Sequence, residues 1–425
     1  MRAAMEEPRL FTHRLHAIAT DLDQLSACVA EAESMNTWIG SLPMANLPAT
    51  TAHLLGLVSE LPRLRTDYLR RLELLEAIRP TVYYVCARID RQNAASGIRW
   101  NESLEDAQAL QRALAHGFKS VVLGALPVAQ EDRAAKDALV QALHRALADL
   151  SQVYLRFSRH YLAPEAGHWL HLNQLLHIAR DAGFAGHKVR DPEHHNPSTT
   201  SITDAWLRPA LLAIARPNQL RNNELNQLFN ALEQWSNQAS IVSELGGGSW
   251  QVDLFSDRPP LKIGAPPGSE RMLTISTDVL AYELEAFLQE IPSTVPVPEY
   301  IGEKLLRHLV AVWSRPKSRD HSRLLIADEV EVGIGLRVAS ACFAREADER
   351  REDRRNLAPE PEANTPQPPL ATHRTQATDT SPLGFRLLWP EGLPPSAQIG
   401  EIVSVREKGQ PAMAGRSFEV DRWSA

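Results

Sequence analysis

Apolar residues recur every three or four positions along most of the first 240 residues, and that spacing predicts a succession of amphipathic helices. Leu104, Ala107, Leu110, Leu114, Phe118 and Val121 mark one over residues 103–124, with Ser103 as its N-cap and Asp106 three residues on. Ala135, Leu139, Leu143, Leu147, Leu150 and Tyr154 mark the next, over 132–161. Further helices follow at about 166–182, 203–214 and 223–235, the last two parted by the breaker Arg216-Pro217-Asn218. Short links between helices of this length fit a bundle or a stack of helix pairs. Trp169, Trp206 and Trp235 fall where packing anchors are needed.

The pattern changes after Gly246-Gly247-Gly248-Ser249. Residues 250–255 and 271–277 read as short strands around a Pro/Gly-rich stretch, and helices resume at 278–290 and 299–313. From about 324 the period becomes two: Val330, Val332 and Ile334 alternate with Glu329, Glu331 and Gly333, and strand character continues over 336–344. A dense run of both charges then gives way to Pro-, Thr- and Gln-rich sequence, so 345–377 is expected to be a disordered insertion. Strand patterns return at 385–389, 399–406 and 416–423, punctuated by Gly392, Gly400 and Gly409. The predicted class is therefore α+β and multidomain: an all-helical region (1–240), a mixed segment with short strands and two helices (241–314), and a compact antiparallel β-barrel (315–425).

Composition narrows the function. With 44% apolar and 23% charged residues the chain has an ordinary globular balance, and its net charge of −7 argues against general nucleic-acid binding. Cys28, Cys86 and Cys342 are far apart, form no zinc spacing, and read as reduced thiols of a cytoplasmic protein. The first fifteen residues lack a signal-peptide core, and no run of about 18 apolar residues predicts a transmembrane segment. No Ser/His/Asp or Cys/His arrangement is recognisable, so an enzyme is not expected. His168, His171, His177, His187, His194 and His195 are locally dense but lack i, i+4 metal spacing, and Gly246–Gly248 lacks the GK[ST] of a phosphate loop. Neither a metal nor a cofactor is expected. Glu73 and Glu76 read as solvent-facing.

The chemistry-bearing residues gather around the barrel. Arg315, Arg319 and Arg323, each four residues after the last, precede its first strand, and Asp379-Thr380-Ser381-Pro382-Leu383-Gly384 leads into a later one. In this order, with strands between and after them, an RxxxR and a DxSxxG motif resemble the PilZ family over about 315–425. The resemblance implies a six-stranded barrel and cyclic di-GMP as ligand. It implies as contacts Arg315, Arg319, Arg323, Asp379, Ser381 and Gly384. A guanidinium stacks on a purine and forks onto phosphate or guanine O6/N7. A carboxylate at Asp379 would accept from guanine N1–H and amine. Three arginine pairs fit RxxxR: Arg315/Arg319, Arg319/Arg323 and Arg351/Arg355. The second is favoured because the barrel needs a strand between the motifs, and 330–343 supplies one only if the arginines lie upstream. Pro382 departs from a plain strand pattern. The motif groups are expected to be exposed when no ligand is bound. On this reading the chain is a cyclic di-GMP receptor that orders the 315–323 linker on binding and changes how the helical region meets a protein partner. The alternative is a helical scaffold or adaptor with a degenerate, non-binding barrel.

Overall fold

The computed structural model describes residues 15, 18–96, 100–195, 199–242, 250–262, 272–314, 324–342, 372–381, 384–389, 394, 401–407 and 416–419. They belong to two compact units: one comprises 1–160, 164–216 and 224–316, the other 161–163, 217–223 and 317–425.

The first unit is mainly helical, built from α1 (Ala32–Gly40), α2 (Leu47–Glu60), α3 (Tyr68–Ser96), α4 (Glu102–Ala125), α5 (Arg133–Arg159), α6 (His168–Asp181), α7 (Ile202–Ile214) and α8 (Asn222–Trp235). α5 is its spine: 20 of its 27 residues are buried, and it packs against α3, α4, α6 and α7. The Asp132 side chain caps α5 by accepting from the Ala134 amide, which satisfies one of the helix's orphan donors. α4 begins two residues earlier than the Ser103 cap predicts. Asn101 accepts from the Leu104 amide at 3.0 Å, and Ser103 lies within the first turn. Ser201 and Asp204 form a reciprocal capping box at α7. Trp169, Trp206 and Trp235 are all buried, as anchors should be.

The region is not wholly helical. β1 (Lys188–Arg190) and β2 (Thr199–Ser201) pair antiparallel between α6 and α7. Three residues each is too short a run for periodicity to register. Downstream, β3 (Ser240–Val242), β4 (Trp250–Asp253), β5 (Leu261–Lys262) and β6 (Met272–Ser276) form an antiparallel sheet in the order β3-β6-β4-β5. α9 (Asp278–Leu288) and α10 (Glu303–Trp313) follow.

In the second unit, β7 (Leu324–Ile334), β8 (Thr372–Ser381), β9 (Gly384–Leu388), β10 (Ile402–Glu407) and β11 (Arg416–Glu419) make one antiparallel sheet, ordered β11-β10-β7-β8-β9. Val330, Val332, Ile334, Ala377, Val403 and Val405 form its core. The outer strands β9 and β11 do not pair among the described residues, so what is seen is a five-stranded antiparallel sheet rather than a closed six-stranded barrel.

Two sequence expectations are corrected here. Residues 336–342 are helical, not extended. Gly335 takes φ +93°, which ends β7, and the Ala339 amide bonds back to the Gly335 carbonyl at 2.9 Å. Gly333 lets this turn lie close, since a Cβ there would sit 2.9 Å from Val338 Cγ1 and 2.7 Å from Ser404 Oγ. The disordered insertion over 345–377 is also too long: residues 372–377 belong to β8, which contacts β7 along its length. The remainder, 345–371, lies outside the described residues. Among the described residues, no helix is long and apolar enough to cross a membrane.

Candidate functional site

The DxSxxG motif straddles a hairpin. Asp379 and Ser381 end β8, Gly384 opens β9, and the register Ser381↔Gly384 leaves two residues between the strands. On the other side of β8, Thr380 pairs with Leu324 and Asp379 with Leu325, so the start of β7 runs alongside the hairpin end. Both pairings are irregular near Asp379: the register shifts between Leu325 and Asp328 on one side and between Ala377 and Asp379 on the other. Such bulges re-aim side chains and are common beside binding sites.

Asp379 is only 5% exposed, which corrects the expectation of an exposed carboxylate. The physical reason is strand parity. Thr375 and Ala377 are buried while Arg374 and Gln376 are exposed, and Asp379 falls on the buried set. Arg386, its register partner on β9, reaches to 3.9 Å of the Asp379 Oδ2 and is 71% exposed. Sequence reasoning passed over Arg386, although a basic residue opposite the motif on the return strand was a readable signal. Leu324 and Leu325 on β7 and Leu388 on β9 present exposed apolar surface. Arg315, Arg319, Arg323, Arg351 and Arg355 lie outside the described residues. The structure therefore brings Asp379, Ser381 and Gly384 to one hairpin and leaves the arginine register open.

The helical unit holds a second polar constellation that the sequence did not announce. Arg79 on α3 is buried and donates through Nη1 and Nη2 to the two oxygens of Asp191, at 2.6 and 2.9 Å. It also donates to the Tyr83 hydroxyl, which in turn donates to Asp149 on α5 at 2.7 Å. Gln111 of α4 donates to the same Asp149 oxygen. Arg145 bridges Glu76, at 2.8 Å, to the Arg190 carbonyl, so Glu76 is ion-paired and not simply solvent-facing. Burial alone would raise the Asp191 carboxyl, but Arg79, by charge and hydrogen bond, and then Arg145 hold it well below the usual range. Burial pushes Asp149 up to about 6 against the pull of Arg79 and Tyr83. Burial likewise holds His144 down to about 3 and His194 to about 4, so both are neutral. Arg79, Tyr83, Asp149, Asp191, Gln111 and Arg145 are joined in one buried network. Among the described residues, no cluster of three or more His, Cys, Asp or Glu is arranged to hold a metal.

Two families match the chain. Residues 33–244 match the family described as the N-terminal domain of the cyclic-di-GMP receptor FimW, and residues 338–414 match its middle PilZ domain. The second match contains Asp379, Ser381, Gly384 and the Arg351/Arg355 pair and begins after Arg323. A curated relative, the cyclic-di-GMP receptor FimW of Pseudomonas aeruginosa, is 31% identical over 324 residues, covering 73% of this chain and 53% of its own length. The chain thus spans about half the length of that relative. No solved structure gives a significant match.

Proposed function

The chain is a PilZ-family protein with an N-terminal helical region, and from that premise we propose that it is a cyclic di-GMP receptor whose C-terminal unit holds the nucleotide and whose helical region relays the bound state to a protein partner. The observation that carries this reading is that the helical and the PilZ segments both match parts of one receptor described as binding cyclic di-GMP. Its function is binding and switching, without bond chemistry. The proposed ligand set is Arg315, Arg319, Arg323, Asp379, Ser381 and Gly384, and the proposed form of this unit is a six-stranded barrel; the described residues form a five-stranded antiparallel sheet.

Tethering favours Arg319/Arg323 as the clasp. Leu324 pairs with Thr380, so Arg323 is covalently one residue, about 3.8 Å between Cα atoms, from a position level with the motif. Arg355 is 17 residues from Thr372, which pairs near Gly333 at the other end of β8, and so is less closely tied to the motif. The alkyl surface of Leu324 and Leu325 offers a floor for a purine, and guanidinium groups supply the stacking and phosphate contacts.

Calorimetric titration of the full chain with cyclic di-GMP tests the reading. Arg319→Ala and Arg323→Ala should each weaken binding by about 1.5–3 kcal/mol, the range for hydrogen bonds to charged groups. Arg351→Ala/Arg355→Ala should leave affinity within about twofold if the clasp precedes β7. Because Asp379 is buried, Asp379→Asn is the cleaner variant: it keeps shape and one acceptor while removing charge. Loss on the 351/355 variant alone moves the clasp to that pair. No binding by folded wild type rejects the receptor reading and leaves a helical scaffold.

A further inference from the structure

A cavity of about 450 Å³ opens within the helical unit, between α2, α4, α5 and the start of α6. That volume lies inside the range of small-molecule sites, roughly 300–1,000 Å³. Its wall is largely apolar, formed by Leu55, Pro62, Leu150, Val153 and Phe157 among others. Two basic side chains line it that are more than nine-tenths buried: Lys119 of α4, 6% exposed, and His168 at the head of α6, 5% exposed.

Neither basic head is satisfied where it lies. The Lys119 ammonium makes no hydrogen bond or ion pair with any described residue, and the buried His168 Nε2 has no partner. The His168 ring itself is held in place by stacking on Tyr154, with centroids 5.9 Å apart and planes at 20°. Buried polar groups in native proteins are almost always paired, with protein or with ordered water. The other charges nearby are committed. Arg112 pairs with Glu165 at the cavity rim, and Asp257 caps α6 by accepting from the Gly167 and Leu170 amides. Burial holds Lys119 down to about 7 and His168 to about 3, and the lining also carries Arg112, His116, His171 and Glu165.

We propose that this cavity binds an organic carboxylate with an apolar body, its head at Lys119 and its tail along Val153, Phe157 and Leu55. One unpaired ammonium matches a monoanion. A phosphate dianion or a dinucleotide would need further permanent cations, and Arg112, the other one in the lining, is already paired with Glu165. The site is therefore distinct from any nucleotide site on the PilZ unit and does not rest on the receptor reading.

Octanoate is a suitable probe: its head is a carboxylate and its chain is short enough for the cavity. Titration of the full chain at pH 6.5, followed by calorimetry, should show saturable binding at one site per chain. Octylammonium, with the same tail and opposite charge, should bind at least tenfold more weakly, and sulfate, with no tail, should not compete. Lys119→Met keeps length and loses charge; it should remain folded by urea titration and weaken octanoate at least tenfold. Ala113→Trp, which fills the cavity from α4, should abolish binding of both amphiphiles. Absence of saturable octanoate binding, equal binding of the two amphiphiles, or undiminished binding by folded Lys119→Met overturns the assignment.

Discussion

Replacing Arg79 with Met should be among the most damaging single changes in the helical unit. Arg79 and both its carboxylate partners, Asp149 and Asp191, are essentially inaccessible to solvent. Met fills much of the same volume, so the cavity left is small and the loss is electrostatic. Asp191 would keep the Glu193 amide at 3.0 Å and the Arg145 Nη1 at 3.4 Å, while losing the two short guanidinium bonds. Asp149 would keep Tyr83 and Gln111. Breaking a buried pair by removing one partner costs about 3–5 kcal/mol. At a urea m value of about 3 kcal/mol per molar, the unfolding midpoint falls by about 1 M or more. The sign of the pH dependence follows from Asp191, whose folded pKa is depressed. Its contribution is present above the unfolded value near 3.9 and is lost as pH falls below it. The gap between wild type and Arg79→Met should therefore be full at pH 7 and narrow below about pH 4. Adding Asp191→Asn to Arg79→Met should recover part of the loss, because the uncompensated charge is gone. A cost under about 1 kcal/mol at pH 7, or a double variant no better than the sum of the singles, would refute this reasoning.

Asp149 titrates the other way. Its folded pKa is raised to about 6, so its contribution is fully present below about pH 3.9 and lost as pH rises through 6. Asp149→Asn, whose side-chain oxygen still accepts from Tyr83 and Gln111, should gain on wild type between about pH 4 and 6 in urea titrations; a constant difference across that window counts against a raised carboxyl. Ser201→Ala removes one half of the α7 capping box and should cost about 1 kcal/mol by thermal or urea unfolding, with Ser201→Asn nearly neutral.

Periodicity made the long helices legible because each carries a full apolar stripe, as α4 and α5 do. It failed where an element is too short to repeat, as in β1, β2 and β5, and at 336–342. There Val338, Ala339 and Cys342 carry a helical spacing that strand-like composition concealed. The motif residues Asp379, Ser381 and Gly384 could be named from their order along the chain. The burial of Asp379 could not, because it follows from where β8 crosses the sheet core. Least visible were Arg79, Asp149 and Asp191. They are 70 and 112 residues apart from Arg79, and a lone charged residue on an amphipathic helix ordinarily reads as solvated.

The Arg79 network also restricts motion. A slip of α3 along α5 by one helical turn would be about 5.4 Å. Such a slip would part Arg79 and Tyr83 of α3 from the buried Asp149 carboxylate of α5. The pair of helices is thus pinned in one register, in the way a key fixes a shaft in its hub. Any rearrangement of this unit that keeps these bonds moves α3 and α5 together.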